Sequence, residues 1–255
     1  MATTRRLTSH RAATFAASIV ILAVTAPASA EWTAGVFAGG CTTGDTSLTL
    51  VQPASGTSVT FDPVHYRSAS FEMPIYYGYR VGAFLAPRWL GIEGELIHMK
   101  VIADTARVSR AEGTVGRQTV AEPRAIDSVL ERFSITHGVN LLLANVVVRR
   151  EGNAASSARA PRWMLVGRIG AGASIPHPES TSGGVSLERY EWGAFSMQGA
   201  AAAEARIAGP LYVSGEYKLT RTVQDVTIAG GSARTPLVTH HVAAGLTLHL
   251  GFPDR

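Results

Sequence analysis

From Val238 to Phe252 the side chains alternate in character at every second residue. One face of an extended chain would carry Val238, His240, Val242, Ala244, Leu246, Leu248, Leu250 and Phe252, and the other Thr239, His241, Ala243, Gly245, Thr247 and His249. Successive side chains of a strand point to opposite faces, so this segment predicts a strand with one apolar face and one polar or small face. Leu211 to Val223 repeats the pattern, with Leu211, Val213, Tyr217 and Leu219 opposite Ser214, Glu216, Lys218 and Thr220. So does Phe71 to Leu85, where Phe71, Met73, Ile75, Tyr77, Tyr79, Val81 and Leu85 oppose Glu72, Tyr76, Gly78 and Arg80. A helix crossing a bilayer needs about 20 apolar residues, and no run beyond the first thirty residues approaches that length. The best, Val139 to Val148, is interrupted by Asn140 and Asn145. If this chain enters a membrane, it enters as strands.

Residues 1–30 read as a signal peptide: Arg5, Arg6 and Arg11, an apolar run from Ala12 to Val24, and Ala28-Ser29-Ala30 as a cleavage site. The mature chain is then residues 31–255, and Cys41 lies too far past the cut to carry a lipoprotein anchor. One cysteine makes no internal disulfide. The leader holds three of the 23 basic side chains and none of the 19 acidic ones, so the mature charge is nearly balanced. That excludes nucleic acid as a partner, since phosphate binding needs a clustered excess of Lys and Arg.

With Glu31 to Cys41, Trp89 to Asp104, Arg132 to Arg149, Trp163 to Ile175 and Tyr190 to Ile207, the alternating segments number eight. Polar connections at 42–70, 105–131, 176–189 and 224–236 alternate with tight turns at Ala86-Pro87-Arg88 and Ala208-Gly209-Pro210. Long on one side and short on the other is the build of an outer-membrane barrel. The expected fold is all-β, an eight-stranded antiparallel transmembrane β-barrel in the outer membrane of a Gram-negative bacterium. The connection from Arg150 to Arg162 is longer than this scheme requires. A soluble barrel or sandwich with its apolar faces turned inward shares the same periodicity.

With apolar faces toward lipid, the lumen receives Glu72, Arg80, Glu93, Glu95, Arg168, Glu204, Arg206, Glu216, Lys218, His241 and His249, a balanced set suited to an ion-pair network. Other polar residues fall out of phase or near the outer rim. His98 and Lys100 continue the lipid phase of Leu90, Ile92 and Leu96, and His137 falls on the face of Phe133, Ile135, Leu141 and Leu143. His177 and Glu179, two apart, share a face and offer an imidazole and a carboxylate to a divalent metal, with a third ligand from His98, His137 or the His240-His241 pair. No histidine is followed two residues later by serine, the spacing expected of a lipid deacylase.

Taken together, Trp89 to Asp104 with Glu95, His98 and Lys100, the run from Phe133 through His137 to Arg149, Pro176-His177-Pro178-Glu179, Gly215-Glu216-Tyr217-Lys218, and Thr235 to Gly245 resemble the rhizobial outer-membrane lipid A oxidase family and its barrel relatives. The resemblance runs in order from the second to the eighth strand. It implies an oxygen- and divalent-metal-dependent oxidation of the proximal glucosamine of lipid A to an aminogluconate. It also implies a rim site open to the leaflet, where His177, Glu179 and His98 hold the metal or the sugar. His98 and His137 would then belong to the catalytic set, with Glu95 and Glu216 as acids that orient it. The alternative is a non-enzymatic surface barrel, opacity- or adhesin-like, binding an envelope or host partner through loops in which Arg107, Arg110, Arg117 and Arg124 interleave with Glu112, Glu122 and Asp127.

Overall fold

The computed structural model describes residues 31–85, 88–152 and 160–251. The leader, most of the first tight turn, the middle of the long connection and Phe252 lie outside the described residues. Eight staves form the wall: β1 (Glu31–Thr43), β2 (Tyr77–Phe84), β3 (Leu90–His98), β4 (Arg132–Gly152), β5 (Trp163–Ser182), β6 (Phe195–Ala208), β7 (Leu211–Ile228) and β8 (Gly231–Leu250). Each pairs antiparallel with the next, and β8 closes on β1 from Trp32↔Leu250 to Thr43↔Thr239. Closure leaves the wall without a free edge, the condition for standing in hydrocarbon.

The apolar alternate faces turn outward. Val242, Leu246, Leu248 and Leu250 of β8 are exposed, as are Val213, Tyr217 and Leu219 of β7 and Leu165 and Ile169 of β5. Trp32, Trp89 and Trp163 stand exposed near the turn end, with Phe195, Trp192 and Phe71 toward the other, the two aromatic girdles of a barrel crossing a bilayer. The inward faces are polar: Arg80, Glu95, Arg168, Glu216, Lys218 and His249 are all buried. This inside-out distribution marks the chain as a transmembrane barrel.

Several segments depart from the sequence reading. Residues 71–75 are not strand: β2 begins at Tyr77, and Phe71 and Met73 are 83% and 85% exposed, so Glu72 pairs with Arg67 outside the lumen. Arg206 also lies outside, on an exposed part of β6. The expected polar loops are largely hairpins. β5 runs on through 176–182 and turns back into Val185–Glu188, and β7 and β8 meet directly in one long hairpin. Within 42–70 and 105–131 the strands Thr46–Gln52, Thr57–Val64, Val108–Val115 and Gln118–Ala125 continue the sheet from the upper end of β8. These hairpins build a turret above the barrel around a core that includes Leu48, Leu50, Phe61, Ile126, Val226 and Ile228. His98 and Lys100 do not face lipid openly: His98 is on the outward phase but 4% exposed, and Lys100, 5% exposed, donates to the Glu72 carbonyl at 2.8 Å.

Candidate functional site

Two polar assemblies stand out, one in the lumen and one on the wall. In the lumen, Arg80 donates both terminal nitrogens to Glu216, at 2.8 and 2.9 Å, and one of them to Glu95 at 3.3 Å. Arg168 bonds Glu93 at 3.0 Å and Glu216 at 2.8 Å, and Lys218 lies between Glu95 and Glu216. Asn145 donates to Glu93 Oε1, which Arg168 also holds, and Asn145 and Gln198 together cap Glu95 Oε2. Toward the turn end, Glu31 takes both terminal nitrogens of Arg149, and His249 bridges Glu31 at 2.6 Å and Glu204 at 2.9 Å. Buried charges survive only when paired and hydrogen-bonded, and here each acid meets a base. The network fills the bore.

The wall assembly arises from a break in register. Ile135 pairs with Pro178 and Val139 with Pro176, so Thr136, His137 and Gly138 lie opposite His177 alone. A bulge re-aims side chains locally, and Gly138 takes φ +108° to make it. His137, on an expected face with Phe133 and Ile135, is thereby turned out to solvent while those two stay in the turret core. Its Nδ1 lies 2.9 Å from Glu179 Oε1, to which Thr136 also donates, and Arg132 donates to Oε2 at 2.6 Å. The His137 and His177 rings meet edge-on with centroids 4.8 Å apart, and Tyr190 packs tilted on His177 at 4.2 Å.

His137, His177 and Glu179 each offer one ligand atom, and the three atoms lie within 4.8 Å of one another. His177 and Glu179 are buried, and His177 Nδ1 has no hydrogen-bond partner. Burial pushes the Glu179 carboxyl up, but the hydrogen bonds from Thr136 and His137 and the charge of Arg132 outweigh it, holding the group below the usual carboxylate range. Both residues sit on the outward phase of β5 that carries Leu165 and Ile169. The site therefore opens on the wall and not into the mouth.

Of the sequence candidates, the structure gathers His137, His177 and Glu179. His98 is adjacent but outside that group, its Nδ1 2.9 Å from Asn140 Oδ1 and its ring stacked on Tyr77 at 4.8 Å. Glu95 and Glu216 do not join it, because they point inward and are held by Arg80 and Lys218 in the lumen. Thr136, Arg132 and Tyr190 were not singled out by sequence. The triplet Thr136-His137-Gly138, interrupting the apolar positions Phe133, Ile135, Val139 and Leu141 of one face, was the available signal of a bulge.

No known family pattern and no curated protein matches the chain. Among solved structures it is similar to Neisserial surface protein A (NspA), at 6% identity over 86% of this chain and 96% of that one, with a TM-score of 0.38. It is also similar to the outer membrane protease OmpT from Escherichia coli, at 10% identity over 86% and 97%, with a TM-score of 0.40. At these values neither likeness bears on what this barrel does.

Proposed function

We propose that this chain is an outer-membrane protein of a Gram-negative envelope that oxidises lipid A in the outer leaflet, with a divalent metal at His137, His177 and Glu179. The observation that carries this reading is the position of the triad, on the lipid-facing phase of β5 just above the apolar band. Two imidazoles and one carboxylate are the donor set of non-haem iron oxygenases, and His177 Nδ1, buried without a partner, fits an atom awaiting a ligand. When bound, such a metal supplies redox chemistry toward dioxygen. The protein's own part is orientation: Arg132 and Thr136 fix the Glu179 carboxylate, and Tyr190 holds the His177 ring. Exposed Trp192 offers an aromatic face against which a sugar ring packs. Two-electron oxidation of the sugar is balanced by reduction of dioxygen to hydrogen peroxide. The filled bore argues against a channel, leaving the wall as the working surface.

The test is metal content together with lipid A mass and peroxide release, comparing the folded protein with a His177→Ala, Glu179→Ala variant. Bound metal and a changed lipid A mass, both lost in the variant, are the expected result. No metal and no mass change would leave a non-enzymatic surface barrel that works through its turret.

A further inference from the structure

Across the barrel from the triad, the upper end of β1 has lost one of its neighbours. Its pairing with β2 ends at Ala38↔Tyr77, while its pairing with β8 runs on to Thr43↔Thr239. The chain before β2 closes the gap as a tight turn: the Glu72 amide donates to the Ala69 carbonyl at 3.1 Å and the Tyr76 amide to the Ser70 carbonyl at 2.8 Å. Ser70 Oγ in turn accepts from the Cys41 amide at 3.0 Å. That turn leaves Phe71 exposed beside Gly40. Between Phe71 on one flank and His240 and Val242 of β8 on the other lies a groove of about 600 Å³, floored by Ala38 and Gly40. Val242 belongs to the lipid-facing wall, so hydrocarbon and not water fills the lower part of the groove.

The upper flank is cationic. The outward residues of β7 run Tyr217, Leu219, Arg221, and above them Asp225 pairs with Arg234 in water. Arg221 therefore stands at the edge of the apolar band, about 7 Å above Leu219 at the rise of a strand. It is exposed between Met197 and Val238, and among the described residues its guanidinium has no ion pair or hydrogen bond. His240 is its diagonal neighbour on β8, a spacing of roughly 7–8 Å that long side chains bridge. Tyr217 Oη lies 2.7 Å from His240 Nδ1; a phenol is the readier donor, so Nδ1 accepts and the ring keeps its proton on Nε2. A guanidinium and an imidazole N–H thus stand together at headgroup height.

We propose that this wall seats one phosphate-bearing lipid of the outer leaflet, with an acyl chain in the groove beside Gly40 and the phosphate held by Arg221 and His240. Both donors are complementary to phosphate oxygens, and a phosphate at the boundary supplies the counter-charge that Arg221 lacks within the chain. The lipid is a fixed part of the wall and not the substrate, so the proposal stands or falls apart from the oxidising reading above.

The experiment is native mass spectrometry of the whole barrel released from micelles carrying dimyristoyl phosphatidic acid or dimyristoylglycerol, which has the same chains and no phosphate. One retained phosphatidic acid per barrel is expected, and dimyristoylglycerol is expected to be held about tenfold more weakly. The double substitution Arg221→Gln, His240→Gln is expected to weaken phosphatidic acid retention by a similar factor. Gly40→Leu is expected to abolish it by filling the groove; a Cβ there meets only side-chain atoms of Phe71 and Ser70, at 3.5 Å and beyond, so the backbone admits it. Equal retention of the two lipids, or phosphatidic acid retention unmoved in either variant, overturns the proposal. So does a dimer of barrels that Gly40→Leu breaks and phosphatidic acid leaves in place, since the groove then belongs to a second copy. If Gly40→Leu does not fold, the double substitution, at two exposed positions, carries the test.

Discussion

The lower and upper halves of β7 and β8 obey the same alternation with opposite chemistry. Below, Val213, Tyr217 and Leu219 point out while Glu216 and Lys218 point in; above, Asp225 and Arg234 point out while Val226, Ile228 and Leu237 point in. The β7 to β8 register runs unbroken from Leu211↔Leu248 to Ile228↔Gly231, although the outer partners differ: above Thr239 β8 leaves β1 and meets Thr46–Gln52, and above Thr222 β7 leaves β6. What inverts the chemistry is the medium. Where the outside is hydrocarbon, polar groups must satisfy one another in the bore; where it is water, the ordinary inward hydrophobic core returns.

The largest expected effect breaks the lower half. Lys218→Met removes the cation between Glu95 and Glu216 and leaves buried carboxylates short of a partner, at a cost of about 3 to 5 kcal/mol in unfolding from lipid vesicles. Phe61→Ala does comparable damage to the upper half, about 3 to 5 kcal/mol, because Phe61 is fully buried in the turret core. Hydrogen exchange should localise that loss to the turret and leave the staves protected. If both variants unfold the whole chain in one step, the halves are one cooperative unit.

Leu246→Arg puts a charge against lipid and should cost about 2 to 4 kcal/mol, whereas Thr227→Arg, in the upper half, should cost only its side-chain hydrogen bond to Glu191, about 1 kcal/mol. Equal costs would erase the distinction between the media. The smallest effect is local. Because the Glu179 carboxyl is held below its ordinary value, the rim stability it contributes is full above the usual carboxylate range and is lost as pH falls through its folded value. Exchange at the Thr136 and His137 amides should rise on that acid limb in the wild type, and Glu179→Gln should flatten it.

The staves were legible because a two-residue period survives wherever one face meets a single medium, as from Val238 to Leu250. The turret was not, because Thr46–Gln52 and Val108–Val115 are short, mix Ser and Thr with apolar residues, and only acquire an inside when folded over Phe61 and Ile126. His177 and Glu179 could be paired from their spacing alone. Bringing His137 to them needed an offset between β4 and β5, which no single strand's periodicity records. Glu95 and Glu216 were legible as lumen acids, but the wall that separates them from the rim exists only in three dimensions.

The sideways opening of the rim triad also sets the dimensionality of encounter. Under the proposed function, a lipid substrate reaching it from the leaflet arrives by lateral diffusion, so its effective concentration is a surface mole fraction and not a bulk molarity. Rates measured in micelles should then fall as detergent dilutes lipid within each particle, even when the amount of lipid in the tube is held constant.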